Sequence, residues 1–248
     1  MKNLIYTFLL LVLVSCSPDK LGNCFTSSGA IIQREIPVSS FNKITAWDRT
    51  RLFIQQGAEH KVVVETGSNL IEDVIVSVVD GRLEIRDNNS CNLVRDYGIT
   101  KIYVTSPNIT EIRSSTGYAI ESIGTLTFPE LSLLSEDFNS GEYHTDGDFK
   151  FDLNVGKLNV VANGMSKFYL SGNAESASFG LYAGDCRIYS ENLIVQDLQL
   201  FHRSSGPMVV NPHQSIKGKI VSIGNVICKT RPSIVEVEEL YKGRLVFE

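Results

Sequence analysis

The sequence predicts an all-β fold of the solenoid type, in which successive turns of chain stack on one another. Apolar residues recur every 20 residues in the C-terminal half, at Phe168, Ile188, Met208 and Cys228. Tyr143 and Tyr118 continue this column backwards in steps of 25. A fixed period near 20, with apolar alternation and without helical spacing, is typical of coils that bury their apolar faces against their neighbours.

Alternation along each predicted coil divides the side chains between an inner and an outer face. Besides the column of Phe168, the column two residues earlier is predicted to point inward: Ser166, Cys186, Gly206 and Val226. The outer positions form two rows, Glu142, Lys167, Arg187, Pro207 and His144, Tyr169, Tyr189, Val209. The last coil would expose an open edge. We expect the segments Val235 to Glu239 and Leu245 to Phe247 to cap it.

The N-terminal half shows strand signals of a different kind. Val74 to Val79 runs through Asp80-Gly81 into Arg82 to Ile85. Asp-Gly between two such runs is a strong hairpin signal, because the turn requires positive φ angles. Some antiparallel pairing is therefore expected before the repeating coils begin near Ile109.

Length and composition indicate one folded domain. The chain has 248 residues, of which 43% are hydrophobic and 21% charged, and its net charge is −5. Without the first 15 residues, which carry Lys2 and no acid, 22 basic residues face 28 acidic ones. Because no basic run offsets this balance, a nucleic-acid partner is not expected.

The first residues predict a bacterial lipoprotein leader. Lys2 precedes the apolar run Leu4 to Val14, which is too short to span a bilayer as a helix. Leu13-Val14-Ser15-Cys16 resembles a lipobox, which implies cleavage of a signal peptide at residues 1–15 and a membrane partner through acylated Cys16. An ordinary secreted protein with a chance cysteine is the alternative. Residues 16–28 are interpreted as the lipidated cysteine and a tether, and residues 29–248 as the single domain.

Several segments together resemble one known family. They are Gly29 to Glu35, Phe41 to Ile44, Leu52 to Gly57, Val62 to Glu65, Asn69-Leu70 and Asp80 to Leu83. In this order they look like the bacterial family of unknown function called putative auto-transporter adhesin, head GIN domain. The resemblance implies a right-handed parallel β-helix on secreted or lipid-anchored bacterial proteins, and it supplies no catalytic residues.

The four cysteines after Cys16 fall into two groups. Cys186 and Cys228 lie in different inward columns two coils apart, so roughly 10 Å separates their backbones at about 4.8 Å per coil, too far for a bridge. We expect both to be free and buried. Cys24 and Cys91 lie in turn-rich contexts, and we hypothesise a disulfide between them. Two unpaired surface thiols are the alternative.

The chain shows no recognisable catalytic or metal-binding motif. Its histidines, His60, His144, His202 and His213, lack metal-ligand spacing, and no nucleophile elbow or phosphate-binding loop occurs. No catalytic residue, metal or cofactor is therefore predicted, and His202 to Ser205 is interpreted as a solvated loop. The enzymatic alternative is a β-helical polysaccharide lyase or hydrolase using Asp146, Asp148, Asp152 or Asp185, by analogy of fold alone.

The predicted outer face offers one candidate binding surface. Tyr169 and Tyr189 lie on neighbouring coils, flanked by His144, Lys167 and Arg187. Such rings suit a glycan or a protein ligand. An aromatic ladder that only stabilises the strands is the alternative. The sequence thus predicts a lipid-anchored binding or structural module of the cell envelope, at the outer membrane, with periplasmic and surface-facing display both left open.

Overall fold

The protein is all-β in the part described by the computed structural model, residues 23–89 and 91–248. Helical structure in this part is limited to two short 3-10 turns, Asn23–Phe25 and Ile71–Asp73. The predicted leader, Cys16 and most of the tether lie outside the described residues. Among the described residues, no helix has the length and apolar character needed to cross a bilayer.

In the described part of the chain, seventeen strands join in one mixed sheet. The first ten are β1 Ile31–Ile36, β2 Lys43–Ala46, β3 Arg51–Gln56, β4 Lys61–Gly67, β5 Val74–Val79, β6 Arg82–Asp87, β7 Lys101–Ser106, β8 Glu111–Ser114, β9 Ile120–Leu126 and β10 Glu130–Ser135. The others are β11 Phe149–Ala162, β12 Lys167–Leu181, β13 Arg187–His202, β14 Met208–Ile220, β15 Val226–Cys228, β16 Ile234–Glu239 and β17 Leu245–Phe247.

The strands follow one another in two rows. One row runs β1-β4-β7-β3-β9-β11-β12-β13-β14-β15-β17, and the other runs β5-β6-β2-β8-β10-β11-β12-β13-β14-β16. Strands β11 to β14 have 13 to 16 residues and take part in both rows. All pairings from β9 and β10 onward are parallel, as expected for turns of chain that stack on their predecessors.

The predicted interior file is confirmed for three members and wrong for the fourth. Phe168 pairs with Ile188 and Ile188 with Met208, and all three are fully buried. Met208 then pairs with Val226, whereas Cys228 lies opposite Val210. The last step is therefore 18 residues long and not 20, because β14 has 13 residues where β12 and β13 have 15 and 16, while the connections that follow these strands are equally long.

The backward extension of this file is also wrong at both tyrosines. Phe149 pairs with Phe168 on one side and with Ile120 on the other, so these two residues take the places predicted for Tyr143 and Tyr118. The rings of Phe149 and Phe168 stack with centroids 4.8 Å apart and planes 6° from parallel. Since both side chains are fully buried, this pair fills the core behind the first row of strands.

The N-terminal end of the stack is formed by antiparallel strands. The predicted hairpin is confirmed: β5 and β6 pair antiparallel, and Asp80 and Gly81 adopt φ angles of 50° and 73° in the turn. Strand β4 pairs antiparallel with both β1 and β7. Partly buried side chains of β1 and β5 pack on the core at this end. The parallel pairing of strands therefore ends at these two antiparallel strands.

The C-terminal end is left open. The segments predicted to form a cap instead continue the ladder, because β16 pairs parallel with β14 and β17 with β15. Within the described residues neither strand has a neighbour on its outer side. Their outward glutamates pair with lysines of earlier turns, as in Lys217–Glu236 at 3.0 Å. Charged side chains on an edge strand oppose edge-to-edge aggregation.

Candidate functional site

The predicted surface is assembled by the first halves of β12 and β13. Lys167 of β12 pairs with Arg187 of β13, and Tyr169 pairs with Tyr189 in the same way. The four side chains therefore form two neighbouring cross-strand pairs. Their neighbours Phe168 and Ile188 point into the core, which turns these four outward by alternation. We call Lys167, Tyr169, Arg187 and Tyr189 the tyrosine face.

The two rings of the tyrosine face stack on each other. Their centroids lie 5.1 Å apart and their planes differ by 17°. Tyr169 is 39% exposed. Because the facing sides of the rings cover each other, a ligand would meet the ring edges, the hydroxyl groups and the outer ring surfaces. Phe53 and Tyr103, on β3 and β7 of the same row, stack similarly at 5.2 Å and 19°, so such a pair also serves as a ladder that stabilises strands.

An ion pair borders the tyrosine face. The Nη2 of Arg187 donates to Oδ2 of Asp185 at 2.6 Å, and the Ser205 hydroxyl donates to Oδ1 at 2.9 Å. The bonds from Arg187 and then from Ser205 lower the pKa of Asp185 below its ordinary value. Asp185 thus acts as an ionised partner that positions Arg187.

His144 does not join the tyrosine face, contrary to the sequence prediction. Its Nε2 lies 2.9 Å from Oδ1 of Asp48, and the outward position next to Tyr169 belongs to Lys150. The prediction was wrong because β11 begins at Phe149, so that His144 falls in the preceding loop. Lys150 is therefore the cation that sequence analysis missed, and Lys167 and Arg187 remain with the two tyrosines.

A groove of about 380 Å³ adjoins the tyrosine face. Tyr169 and Tyr189 line it together with polar side chains: Lys150, Asp152, Ser171, Glu191 and Asn192. It lies at an irregularity in β13, where the register against β12 slips by one residue and the register against β14 by three. Bulges of this kind redirect side chains beside binding sites, and the 20-residue period gave no signal for it.

Three side-chain atoms at this groove and face are buried without a hydrogen-bond partner among the described residues. They are Nε of Arg187, Oε2 of Glu191 and Oδ1 of Asn211. The amide of Asn211 donates to the backbone oxygen of Glu191 at 3.2 Å, which places these two residues together. Because the surrounding chain covers these three atoms, they are not part of the surface that a ligand would touch.

A larger groove, of about 640 Å³, lies where β11, β12 and β13 pass from one row to the other. Its lining includes Asn154, Asn173, Glu175 and Gln196. Its only aromatic residue is Phe128, which is 2% exposed. Since this groove lacks an accessible ring, the tyrosine face is the stronger candidate despite its smaller volume.

Three of the four acids considered for catalysis, Asp148, Asp152 and Asp185, accept hydrogen bonds from the surrounding chain. Oδ1 of Asp148 accepts the backbone N–H of Lys167 at 2.9 Å. Asp152 accepts hydrogen bonds from the hydroxyl groups of Ser171 and Thr125. In residues 23–89 and 91–248, no group of three or more His, Cys, Asp or Glu side chains is arranged to hold a metal ion.

The cysteines divide into one disulfide and two buried thiols. Cys24 and Cys91 form the disulfide. Cys186 and Cys228 are free and buried, as predicted. Burial raises the pKa of Cys186 to about 11 and that of Cys228 to about 12, so neither thiol is a reactive thiolate at neutral pH.

His202 belongs to the core, and its interpretation as part of a solvated loop is wrong. It is the last residue of β13 and is fully buried, and neither ring nitrogen has a hydrogen-bond partner in the described chain. Burial lowers the pKa of this imidazole to about 4, although the backbones of Gly206 and Gly224 partly oppose the effect. The sequence prediction failed because an isolated His-Arg-Ser-Ser stretch does not reveal that β13 extends this far.

The buried His202 makes stability depend on pH. The unfolded chain binds a proton at this imidazole below about pH 6.5, whereas the folded protein binds it only near pH 4. Wild type is therefore expected to lose on the order of 3 kcal/mol of unfolding free energy over this window relative to His202→Leu. Urea titrations at several pH values measure this, with His213→Leu, at an exposed histidine, as the control. Parallel pH curves for wild type and His202→Leu would contradict the prediction.

The chain is similar to a known family in sequence and to solved structures in fold. A family model described as putative auto-transporter adhesin, head GIN domain, matches residues 40–232. No curated protein matches the sequence. A crystal structure of a putative adhesin from Bacteroides fragilis NCTC 9343 is similar, with a TM-score of 0.79, 22% identity, and coverage of 90% of this chain and 100% of that chain.

Two further crystal structures share the fold. One is a putative lipid binding protein from Parabacteroides distasonis ATCC 8503, with a TM-score of 0.62, 17% identity and coverage of 89% and 99% of the two chains. The other is a putative adhesin from Parabacteroides merdae ATCC 43184, with a TM-score of 0.62, 18% identity and coverage of 90% and 98%. At these identities the likeness establishes the fold alone.

Proposed function

Because this chain belongs to the family of putative auto-transporter adhesins with a head GIN domain, we propose that it is a lipid-anchored binding module of the bacterial cell envelope without catalytic activity of its own. The proposal includes its finer architecture, a right-handed parallel β-helix. Parallel pairings that advance by 18 to 20 residues per turn from Phe149 to Val226 support that architecture. The lipobox-like Leu13 to Cys16 supports the anchor.

The tyrosine face carries the proposal for binding. It combines an aromatic pair, of which Tyr169 is exposed and Tyr189 partly buried, with cations on two neighbouring strands and with a groove that holds carboxylate, hydroxyl and amide groups. Aromatic rings pack on the apolar C–H faces of sugars, while the surrounding polar groups bind hydroxyls and fix orientation. We therefore assign a glycan as the ligand class.

The double variant Tyr169→Ala/Tyr189→Ala is expected to weaken glycan binding about tenfold or more, as loss of an aromatic anchor does at other interfaces. A glycan array identifies the ligand, and calorimetry measures its affinity for wild type and variant. The matched control is Phe53→Ala/Tyr103→Ala, which removes a stack of similar geometry from the same row. If both double variants lose stability but neither loses affinity, the tyrosines form only a structural ladder.

The alternative function is a polysaccharide lyase or hydrolase, and one observation favours testing it. Asp152 and Glu191 line the groove together, so two carboxylates are available beside a bound glycan. A reducing-sugar assay on glycans that bind decides between the functions. Turnover that disappears in Asp152→Asn and Glu191→Gln would replace the binding proposal, whereas binding without turnover supports it.

Display on the cell is the remaining part of the proposal. An adhesin must face outward, whereas an envelope module of the inner leaflet would act within the periplasm. Protease digestion of intact cells distinguishes the two positions, because only a surface-facing protein is cleaved before the outer membrane is opened. Cleavage is expected for a protein that binds external glycans.

A further inference from the structure

A cluster of exposed apolar side chains surrounds the disulfide. Large apolar residues are usually buried, and several of them exposed together mark an interaction surface. The exposed fractions are 64% for Phe25, 68% for Leu93, 52% for Val94 and 76% for Tyr97. We call residues 91–98, together with Cys24 and Phe25, the stapled loop.

The stapled loop is held in place by more than the disulfide. The backbone N–H of Leu93 donates to the oxygen of Cys24 at 3.1 Å, which brings Leu93 beside Phe25. The guanidinium of Arg95 donates to the backbone oxygens of Cys91 at 2.6 Å and Thr26 at 2.9 Å. The chain thus fixes an apolar surface in contact with solvent, although burying these side chains would stabilise the fold.

The position of the stapled loop in the chain indicates what covers it. Cys24 follows Cys16 by eight residues, and eight residues span at most about 28 Å when fully extended. If Cys16 carries the proposed lipid, the stapled loop cannot move farther than this from the membrane surface. Apolar and aromatic side chains so close to a bilayer gain free energy by entering its interfacial region, where tyrosine is enriched.

We propose that the stapled loop docks on the phospholipid surface and acts as a second, non-covalent membrane contact. The proposal rests on the proposed lipid anchor for its proximity to the bilayer. It also gives the molecule an orientation: the loop leads into β7, and β13 lies five strands farther along the same row. At about 4.8 Å per strand the tyrosine face is then held roughly 24 Å beyond the loop's end of the stack.

Vesicle flotation tests the docking in the absence of acylation. Residues 23–248 contain all seventeen strands and both disulfide cysteines, and this segment carries no Cys16. It is expected to float with phosphatidylethanolamine–phosphatidylglycerol vesicles. Leu93→Ser/Val94→Ser/Tyr97→Ser is expected to lower the partition coefficient at least tenfold. The matched control Met165→Ser/Ile223→Ser/Leu240→Ser changes residues that are 65%, 53% and 58% exposed elsewhere, and it should bind as wild type does.

Several outcomes would overturn the inference. These are a wild-type segment that does not float, equal flotation of the loop variant, or an equal loss in the control. Where the triple variant melts early, Leu93→Trp replaces it: fluorescence quenching by lipids brominated on their acyl chains is expected, and its absence contradicts docking. A protein partner at this surface would give the same exposed loop without any vesicle binding.

Failure of the proposed anchor is distinguished separately. Fatty-acid labelling of the full chain in bacteria, with Cys16→Ala as control, reports acylation directly. Loop-dependent flotation without labelling would leave the docking in place and remove the anchor. Labelling without flotation would support the anchor and contradict the docking.

Discussion

Phe168→Ala is expected to lower the free energy of unfolding by about 4 kcal/mol. The side chain is fully buried, stacks on Phe149 and lies in register with Ile188. Its removal leaves a cavity between two adjacent strands whose backbones are fixed by ladder hydrogen bonds, so the site has little freedom to collapse. Equilibrium unfolding in urea, monitored by circular dichroism, measures the change.

Tyr169→Ala provides the neighbouring control. It removes the next aromatic ring in the chain, but from the outer face of the same strand, where the side chain is 39% exposed. Its cost is expected to be at most about half that of Phe168→Ala, because the ring lies partly in solvent and its removal leaves no enclosed cavity. Equal losses for the two variants would mean that the inner and outer faces of β12 are assigned incorrectly.

Loss of the Cys24–Cys91 disulfide is expected to destabilise the protein by about 4 kcal/mol. The bridge joins residues separated by 67 positions, so it restricts a long loop of the unfolded chain. Reducing conditions and the double variant Cys24→Ser/Cys91→Ser should shift the urea midpoint by the same amount. Thermal unfolding with and without a reductant gives an independent measurement.

The double serine variant also serves as the control for the reductant. Cys186 and Cys228 are buried thiols with raised pKa values, so they neither exchange nor form disulfides under these conditions. Reductant should therefore leave the variant unchanged. A further loss of stability on reduction, or the same stability for wild type and variant, would contradict the assigned role of the bridge.

The period of the sequence predicts the parallel ladder but not its register at every step. Phe168, Ile188 and Met208 are found in one file because each intervening turn has the same length. Cys228 leaves the file because the turn before β15 is two residues shorter. Alternation within a strand is unaffected by such a change, since an even shift keeps inward residues inward, and so Cys228 is buried as expected.

The candidate site could be predicted only where the ladder is regular. Lys167, Tyr169, Arg187 and Tyr189 come together because their two strands keep a step of 20 residues. The polar groove could not be foreseen, because it depends on unpaired residues of a bulge that leave no periodic trace. His144 was misplaced for a related reason, because an irregular loop before β11 interrupts the regular spacing between turns.

The stacking of turns of nearly equal length has a consequence for how such proteins vary in length. Each turn from β11 onward contacts only the turns beside it, so inserting or deleting one turn of about 20 residues changes few contacts. Every added turn would carry the C-terminal end about 4.8 Å farther from the N-terminal strands. The stack is thus an adjustable spacer, whose number of turns sets the distance between its two ends.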